Sequence, residues 1–426
     1  MLKLNKIEYS DEGKKIHYLY EFTPDIAKYF NKKEPLFSNY SLDVSNVPKS
    51  INVIPFLANI MPIAWFSGFD VYVDEVDDVF YNSLKTIKKE FSRNHSQIDM
   101  QKGNLIVKSK VKNIYPIAKS AMLFSGGLDA YTTYFRNISS KLELITIWGA
   151  DVELDDEKQW SRVLGLNQKE KLLQQNKKQY IKSNIRNFYT YHVDLLLENL
   201  GWWGKVQHGL ALNGLVAPLS YINGYATLYI ASSYTKDFGL EWGSTPEIDN
   251  NIKWSNTSVI HDGYELKRQD KVKVVVNSLK DLNTSIALRV CYSELNTKIN
   301  CSSCEKCHRT IIGIILENEN PNKFGFEVSS DIYTSIFKDY TNGFSSKGTK
   351  YFWWEILERI KTTKEIYIFD DEDDEYIKMQ ELKTLIESNM LLSEHKKTLI
   401  QKIKFSIQRT FPKLFKIYLK MRQGNI

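Results

Sequence analysis

Two rhythms of apolar and polar positions divide the chain. A period of two governs Leu4 to Tyr9 and Lys15 to Phe22, which flank Ser10-Asp-Glu-Gly13 and predict a β-hairpin. Val53 to Phe66 is an apolar run too short to span a bilayer, and Pro55, Asn59 and Pro62 inside it mark it as buried core. Val71 to Val73 reads as a short strand. Val79, Phe80, Leu84, Ile87 and Phe91 then recur at helical spacing from about Asp77 to Phe91. From about residue 117 to 290 the rhythm alternates. Strands are predicted at Ala121–Phe124, Leu142–Trp148, Tyr189–Val193, Thr227–Ile230, Val272–Val276 and Ser285–Val290. Helices are predicted at Asp156–Val163, Gln168–Ile185 and Gly209–Tyr221. Such alternation implies an α/β fold, a parallel sheet with helices on both faces, whose ligands bind at the carboxyl ends of the strands.

From Asp331 the pattern is mostly helical. Asp370-Asp-Glu-Asp-Asp-Glu375 reads as a solvated loop. Beyond Glu394 the cations from Lys396 to Arg422 interleave with Leu399, Ile403, Phe405 and Leu419. That is a basic amphipathic helix interrupted near Pro412, suited to covering a core or to meeting nucleic acid or another acidic partner. The expected organisation is an N-terminal α+β extension at 1–115, a nucleotide domain at 116–320 and a helical C-terminal region at 321–426. The extension shows no catalytic constellation and reads as a packing or docking module.

Composition narrows the chemistry. Among 426 residues the net charge is +6, which admits an anionic ligand such as ATP without demanding nucleic acid. A charged, mixed N-terminus argues against a secretory signal and for the cytoplasm, with no membrane role expected. The four cysteines, Cys291, Cys301, Cys304 and Cys307, are spaced C-x9-C-x2-C-x2-C. In a cytosolic chain that spacing predicts a closed structural Zn(II) site, with an iron–sulfur cluster as the less favoured occupant.

The other chemical signal is Met122-Leu-Phe-Ser-Gly-Gly-Leu-Asp-Ala-Tyr-Thr-Thr-Tyr-Phe135. A strand end, a glycine turn and a helix start aim backbone N–H groups and the helix dipole at one spot, which suits a phosphate. Ser125 adds a hydroxyl, Gly126 and Gly127 permit close approach, and Leu128 and Asp129 open the helix. An ordinary strand-to-helix turn is the plain alternative. Trp148, at the end of the second strand, is a candidate to stack on a base or a core residue. His208 is a candidate substrate contact or a structural hydrogen-bonder. Glu247 and Asp249 lie in a long loop rich in Ser, Thr and Gly, and carboxylates there suit the N–H groups of a purine-like base. His261-Asp262-Gly263 reads as a turn. Arg268 and Lys271 follow as a basic face able to stabilise charge on phosphate.

The Ser-Gly-Gly-x-Asp loop resembles the signature of the PP-loop ATP pyrophosphatases, with Ala130 where that signature has Ser. Adding the single Cys and C-x2-C-x2-C, the sequence resembles 7-cyano-7-deazaguanine synthase, the QueC family. Trp242-Gly-Ser-Thr-Pro246, His261-Asp262-Gly263 and Asn300-Cys-Ser-Ser-Cys-Glu-Lys-Cys-His-Arg-Thr310 are similar to the longer QatC-type proteins of bacterial antiphage defence clusters. These motifs cover residues 120 to 310; the flanking regions match only the general layout of that longer group. The resemblance implies a PP-loop (adenine nucleotide alpha-hydrolase-like) domain that forms AMP and pyrophosphate from ATP. Ser125, Gly126 and Gly127 would cradle the pyrophosphate, Asp129 would order the loop and Mg(II), and Trp148 would meet the adenine. It further implies a carboxylate substrate, foremost 7-carboxy-7-deazaguanine, activated for attack by ammonia or by an amine on a partner protein from the same cluster. Two alternatives remain open: a non-catalytic ATP-binding scaffold, and a tRNA-modifying (thiolating) enzyme.

Overall fold

The computed structural model describes residues 1–198, 201–239, 241–291, 298–341, 343–344, 347–363, 366, 368–369, 372–391 and 411. The basic segment from Lys396 to Arg422 lies outside them apart from Phe411. The chain forms two compact units. The first takes Met1–Ser125, Asp129–Lys169 and Leu173–Glu265. The second takes Gly126–Leu128, Glu170–Leu172 and the described residues from Leu266 onward.

The first unit is α/β, built on one large, mostly parallel sheet. Its strands are β1 (Leu2–Ser10), β2 (Lys15–Phe22), β3 (Phe37–Tyr40), β4 (Val71–Asp77), β5 (Leu105–Val111), β6 (Lys119–Leu123), β7 (Glu143–Trp148), β8 (Lys178–Ser183), β9 (Tyr225–Ala231), β10 (Lys253–Trp254) and β11 (Thr257–Asp262). They lie in the order β10-β11-β9-β6-β7-β8-β3-β2-β1-β4-β5. The segment β8-β7-β6-β9-β11 is parallel throughout. From β6 the chain winds outward through β7 and β8, then crosses back to β9 and β11. Strand order therefore reverses at β6, which makes the carboxyl end of β6 the switch point where such sheets form a crevice.

The predicted hairpin is β1–β2, paired from Leu2↔Phe22 to Ser10↔Lys15. The N-terminal strands are not set apart from the rest: β3 pairs antiparallel with β8, so the boundary drawn at residue 115 falls between β5 and β6 of one continuous sheet. Helices α1 (Lys49–Asn52) and α2 (Ile54–Ser67) carry the expected apolar run. Every residue of α2 from Ile54 to Phe66 is buried, the pattern of a helix surrounded by protein. Next come α3 (Asp78–Asn94), α4 (Leu128–Arg136), α5 (Glu157–Lys169), α6 (His208–Gly214), α7 (Ala217–Asn223) and α8 (Pro246–Asp249). Asp77 caps α3 by accepting from the Phe80 N–H.

The second unit is helical where described: α9 (Arg268–Asp281), α10 (Glu305–Ile315), α11 (Ile332–Tyr340), α12 (Lys347–Thr362) and α13 (Glu372–Leu391). Here several expectations are corrected. Val272–Val276 is not a strand but lies in α9, which buries Val272, Val275, Val276 and Leu279 at helical spacing. Ser285–Val290 is irregular. In the first unit, the helix expected over Gln168–Ile185 is replaced at its end by β8, and Tyr189 makes only an isolated bridge to Phe30. The acidic run is not wholly solvated. Glu375 is buried, accepting from the Tyr333 hydroxyl at 2.9 Å and from the Ile368 and Phe369 N–H groups at 2.8 and 3.1 Å.

Candidate functional site

The glycine turn leaves β6 at the switch point. Phe124 continues the ladder, donating its N–H to Ile145 O and accepting from the Thr146 hydroxyl. Gly126 has φ +75°, a left-handed conformation that favours glycine, and α4 starts two residues later. Within the second unit, the Arg289 N–H donates to Gly126 O at 2.7 Å. Helix α4 is anchored in the first unit from its far end. Asp262, the last residue of β11, accepts from the Thr133 hydroxyl at 2.9 Å and from Arg136 Nε at 3.1 Å. The same guanidinium reaches Glu265 at 2.6 Å. His261-Asp262-Gly263 reads as a turn in sequence; in the structure Asp262 ends β11 and fixes the helix that follows the glycine loop.

Trp148 has partners of its own. Its ring stacks on Trp160 at 5.2 Å and 8°, Lys182 Nζ sits 3.9 Å from its centroid, and its Nε1–H donates to Glu153 O. Glu247 is exposed, while Asp249 is fully buried. Asp249 Oδ2 accepts from the Ser244 hydroxyl at 2.6 Å and lies 2.8 Å from His261 Nδ1. His208 stands at the start of α6, after a widened turn from Trp203 to Gln207. Its ring lies 5.4 Å from Trp203 and 5.2 Å from Trp242, and Tyr234 meets Trp242 edge-on at 5.1 Å. Burial lowers the His208 pKa from its ordinary value, with Asp151 and Asp249 pulling the other way. Six buried side-chain atoms in these segments have no protein hydrogen-bond partner: His208 Nδ1, Thr235 Oγ1, Trp242 Nε1, Thr245 Oγ1, Asp249 Oδ1 and His261 Nε2. This group of rings and unsatisfied polar atoms is suited to a flat ligand with N–H and C=O groups.

The structure thus brings together His208 and Asp249, adds Trp242 and His261, and leaves Glu247 at the surface. An acid and a histidine, each near the end of a short element flanking β9, were the available signal for the pair. Arg268 belongs to the second unit. Its N–H donates to Glu355 Oε2 at 2.8 Å and its guanidinium to Thr310 Oγ1 at 2.9 Å. Burial raises the Glu355 pKa. Phe352 lies under two guanidiniums, Arg309 at 4.1 Å and Arg268 at 5.8 Å.

The four cysteines converge. Their sulfurs all lie within 4.8 Å of one another. Cys291–Cys304 is 3.9 Å, Cys301–Cys307 3.8 Å and Cys304–Cys307 3.5 Å. A tetrahedral zinc with bonds of about 2.3 Å requires sulfur edges of about 3.8 Å, whereas a disulfide needs about 2.05 Å. The cluster can therefore hold one metal ion and is compatible with zinc. The hydrogen bond with Cys304, then burial, push the Cys307 thiol far up, so a cation is needed for the set to ionise together. The N–H groups of Ser303 and Cys304 donate to Cys301 Sγ at 3.5 and 3.2 Å, supporting a thiolate there. Cys304 also precedes α10, placing the positive end of that helix by the sulfurs.

Among the described residues no helix is long and apolar enough to cross a membrane. No protein-family model matches the chain, and no curated protein or solved structure matches it significantly.

Proposed function

We propose that the protein is a QueC-like PP-loop enzyme of the cytoplasm that converts ATP to AMP and pyrophosphate. It adenylates a carboxylate, foremost that of 7-carboxy-7-deazaguanine, for attack by a nitrogen nucleophile. That nucleophile is ammonia or an amine of a partner protein, in the setting of antiphage defence that the resemblance implies. The observation that carries the reading is the glycine turn on β6, at the reversal of strand order and opening into α4. Backbone N–H groups at such a turn suit the pyrophosphate of ATP. On this reading Ser125, Gly126 and Gly127 hold that leaving group. The substrate carboxylate attacks the α-phosphorus, and the resulting acyl-adenylate loses AMP to the nucleophile. The aromatic cluster around His208 and Trp242 supports a flat acid. The four sulfurs support a structural metal, with zinc the ion their spacing suits; the chemistry proposed uses no step on it.

The test is product analysis with purified protein, ATP and the deazaguanine acid. AMP and pyrophosphate are expected, with turnover abolished and folding retained in the Ser125→Ala, Asp129→Ala double variant. ADP as product would remove the PP-loop reading. Bound ATP without turnover would favour the scaffold, and ATP-dependent sulfur incorporation into tRNA the thiolating alternative.

A further inference from the structure

Four observations converge on His261. Its Nδ1 is paired at 2.8 Å with Asp249, whose Oδ2 is steadied by Ser244. Its backbone N–H donates to Asn250 Oδ1 at 2.8 Å, which fixes the strand beneath the ring. With the Nδ1 proton directed at a carboxylate, Nε2 is left as an acceptor. That Nε2 is shut off from solvent and has no hydrogen-bond partner among the described residues. Nε2 therefore keeps its capacity to accept a proton from a bound group.

Register places the ring at the working edge of the sheet. His261 pairs with Ile230 of β9; the preceding residue, Tyr229, pairs with Met122 of β6, three residues before Ser125. Two strand spacings, about 10 Å, separate β11 from β6. Asp262 points to α4, so strand alternation turns His261 to the opposite face, where Asp249 of α8 meets it.

We propose that His261 is the proton acceptor for the nitrogen nucleophile, with Asp249 as its positioning residue. The inference rests on the AMP-forming reading above. The nitrogen forms a bond to the acyl carbon, and the bond from that carbon to the phosphate oxygen breaks. AMP leaves with that electron pair, and one N–H proton passes to Nε2. Asp249 holds the imidazole in the accepting tautomer and stabilises the imidazolium that forms.

The experiment separates the two half-reactions, using full-length protein, ATP and 7-carboxy-7-deazaguanine. ATP–pyrophosphate exchange reports adenylation. Ammonium and hydroxylamine serve as nucleophile probes, the second being reactive without base assistance. His261→Gln also alters the cluster that receives the flat acid, so exchange and hydroxamate formation should fall together, by no more than about tenfold at saturating acid. Amide formation from ammonium should fall by roughly 10²- to 10⁴-fold, the usual worth of a general base. Ser244→Ala, a milder change should His261→Gln fold poorly, should lower ammonium transfer relative to exchange by roughly fivefold to tenfold. Parallel loss of exchange and amide formation in both variants would overturn the proposal in favour of a structural or recognition role. Unimpaired use of ammonium would overturn it outright. Absence of exchange in the wild-type protein would instead remove the AMP-forming reading, and this inference with it.

Discussion

Adding one methyl group at Gly209 tests how tightly α6 is fitted to α8. A Cβ there would lie 2.1 Å from Asp249 Oδ1 and 2.7 Å from Gly243 O. Neither neighbour is free to give way. The Gly209 N–H bonds Gly243 O at 3.0 Å, and the Asp249 carboxylate is held by Ser244 and His261. Gly209→Ala must therefore separate the two segments. Overpacking of this kind costs about 1–3 kcal/mol, offset by up to about 1 kcal/mol from the helix propensity of alanine. The expected net loss is about 1–2 kcal/mol, or a Tm lower by roughly 2–8 °C for a unit of this size. Gly165 supplies the control. It lies inside α5, and a Cβ added to it would have nothing within 4 Å, so Gly165→Ala should gain about 0.5–1 kcal/mol. Calorimetry or urea melts of the two variants measure the same methyl in opposite surroundings. A Gly209→Ala protein as stable as wild type, or a less stable Gly165→Ala protein, would refute the packing argument.

Three further outcomes are expected. Cys304→Ser should lower bound zinc from about one per chain and destabilise α10, because metal binding is linked to folding; iron with labile sulfide in the wild-type protein would show that the ion is misassigned. Asp262→Asn should cost about 1–2 kcal/mol, the partial exposure of Arg136 moderating the weakening of the charge-assisted hydrogen bonds from Thr133 and Arg136, and a double-mutant cycle with Arg136→Met should show coupling; strict additivity would deny the link. Burial lowers the His95 pKa, as it does that of His208, so the unfolded chain takes up the proton first as pH falls. Their contribution is whole above the unfolded value of about 6.5 and is lost as pH falls through the lower folded values. Urea melts from pH 8 to 5 should show this decline, shallower in His95→Gln, and an equal slope in that variant would count against it.

Much of the fold was legible where one face of an element is apolar. The β1–β2 hairpin, α3, the strand–turn–helix at β6 and α4, and the cysteine spacing all carry local signals. The misread segments share one cause: side chains whose partners come from distant sequence. Strand β8 alternates Gln179, Ile181 and Ser183 inward, but two of these three are polar. Gln179 accepts from the Ser41 hydroxyl and Ser183 donates to Phe37 O, neither of which a local window contains. The β-branched run Val272–Val276 suggested a strand, yet its burial follows helical spacing, and the Lys267 N–H is capped by Asp270. Glu375 looked solvated because its donors, Tyr333 among them, could not be seen from the acidic run itself. At the candidate site, Asp249 was noticed as a carboxylate, but its burial against Gly209 and its pairing with His261 follow from the meeting of α6, α8 and β11.

The seam between β3 and β8 also governs the order in which the chain can be completed. Ser183 bonds Phe37 across 146 residues of sequence, and Asn184 bonds Glu34 O and Pro35 O across a similar span. At about 5–20 residues per second, a ribosome needs roughly 7–30 s to make the intervening stretch. Throughout that interval β3 has its hairpin neighbour on one side and an open hydrogen-bonding edge on the other, a template for mispairing. The nascent N-terminal strands therefore depend on shielding until β8 emerges. Expressing residues 116–320 alone would transfer the same liability to β8, and such a fragment should aggregate unless it is made together with the segment that supplies β3.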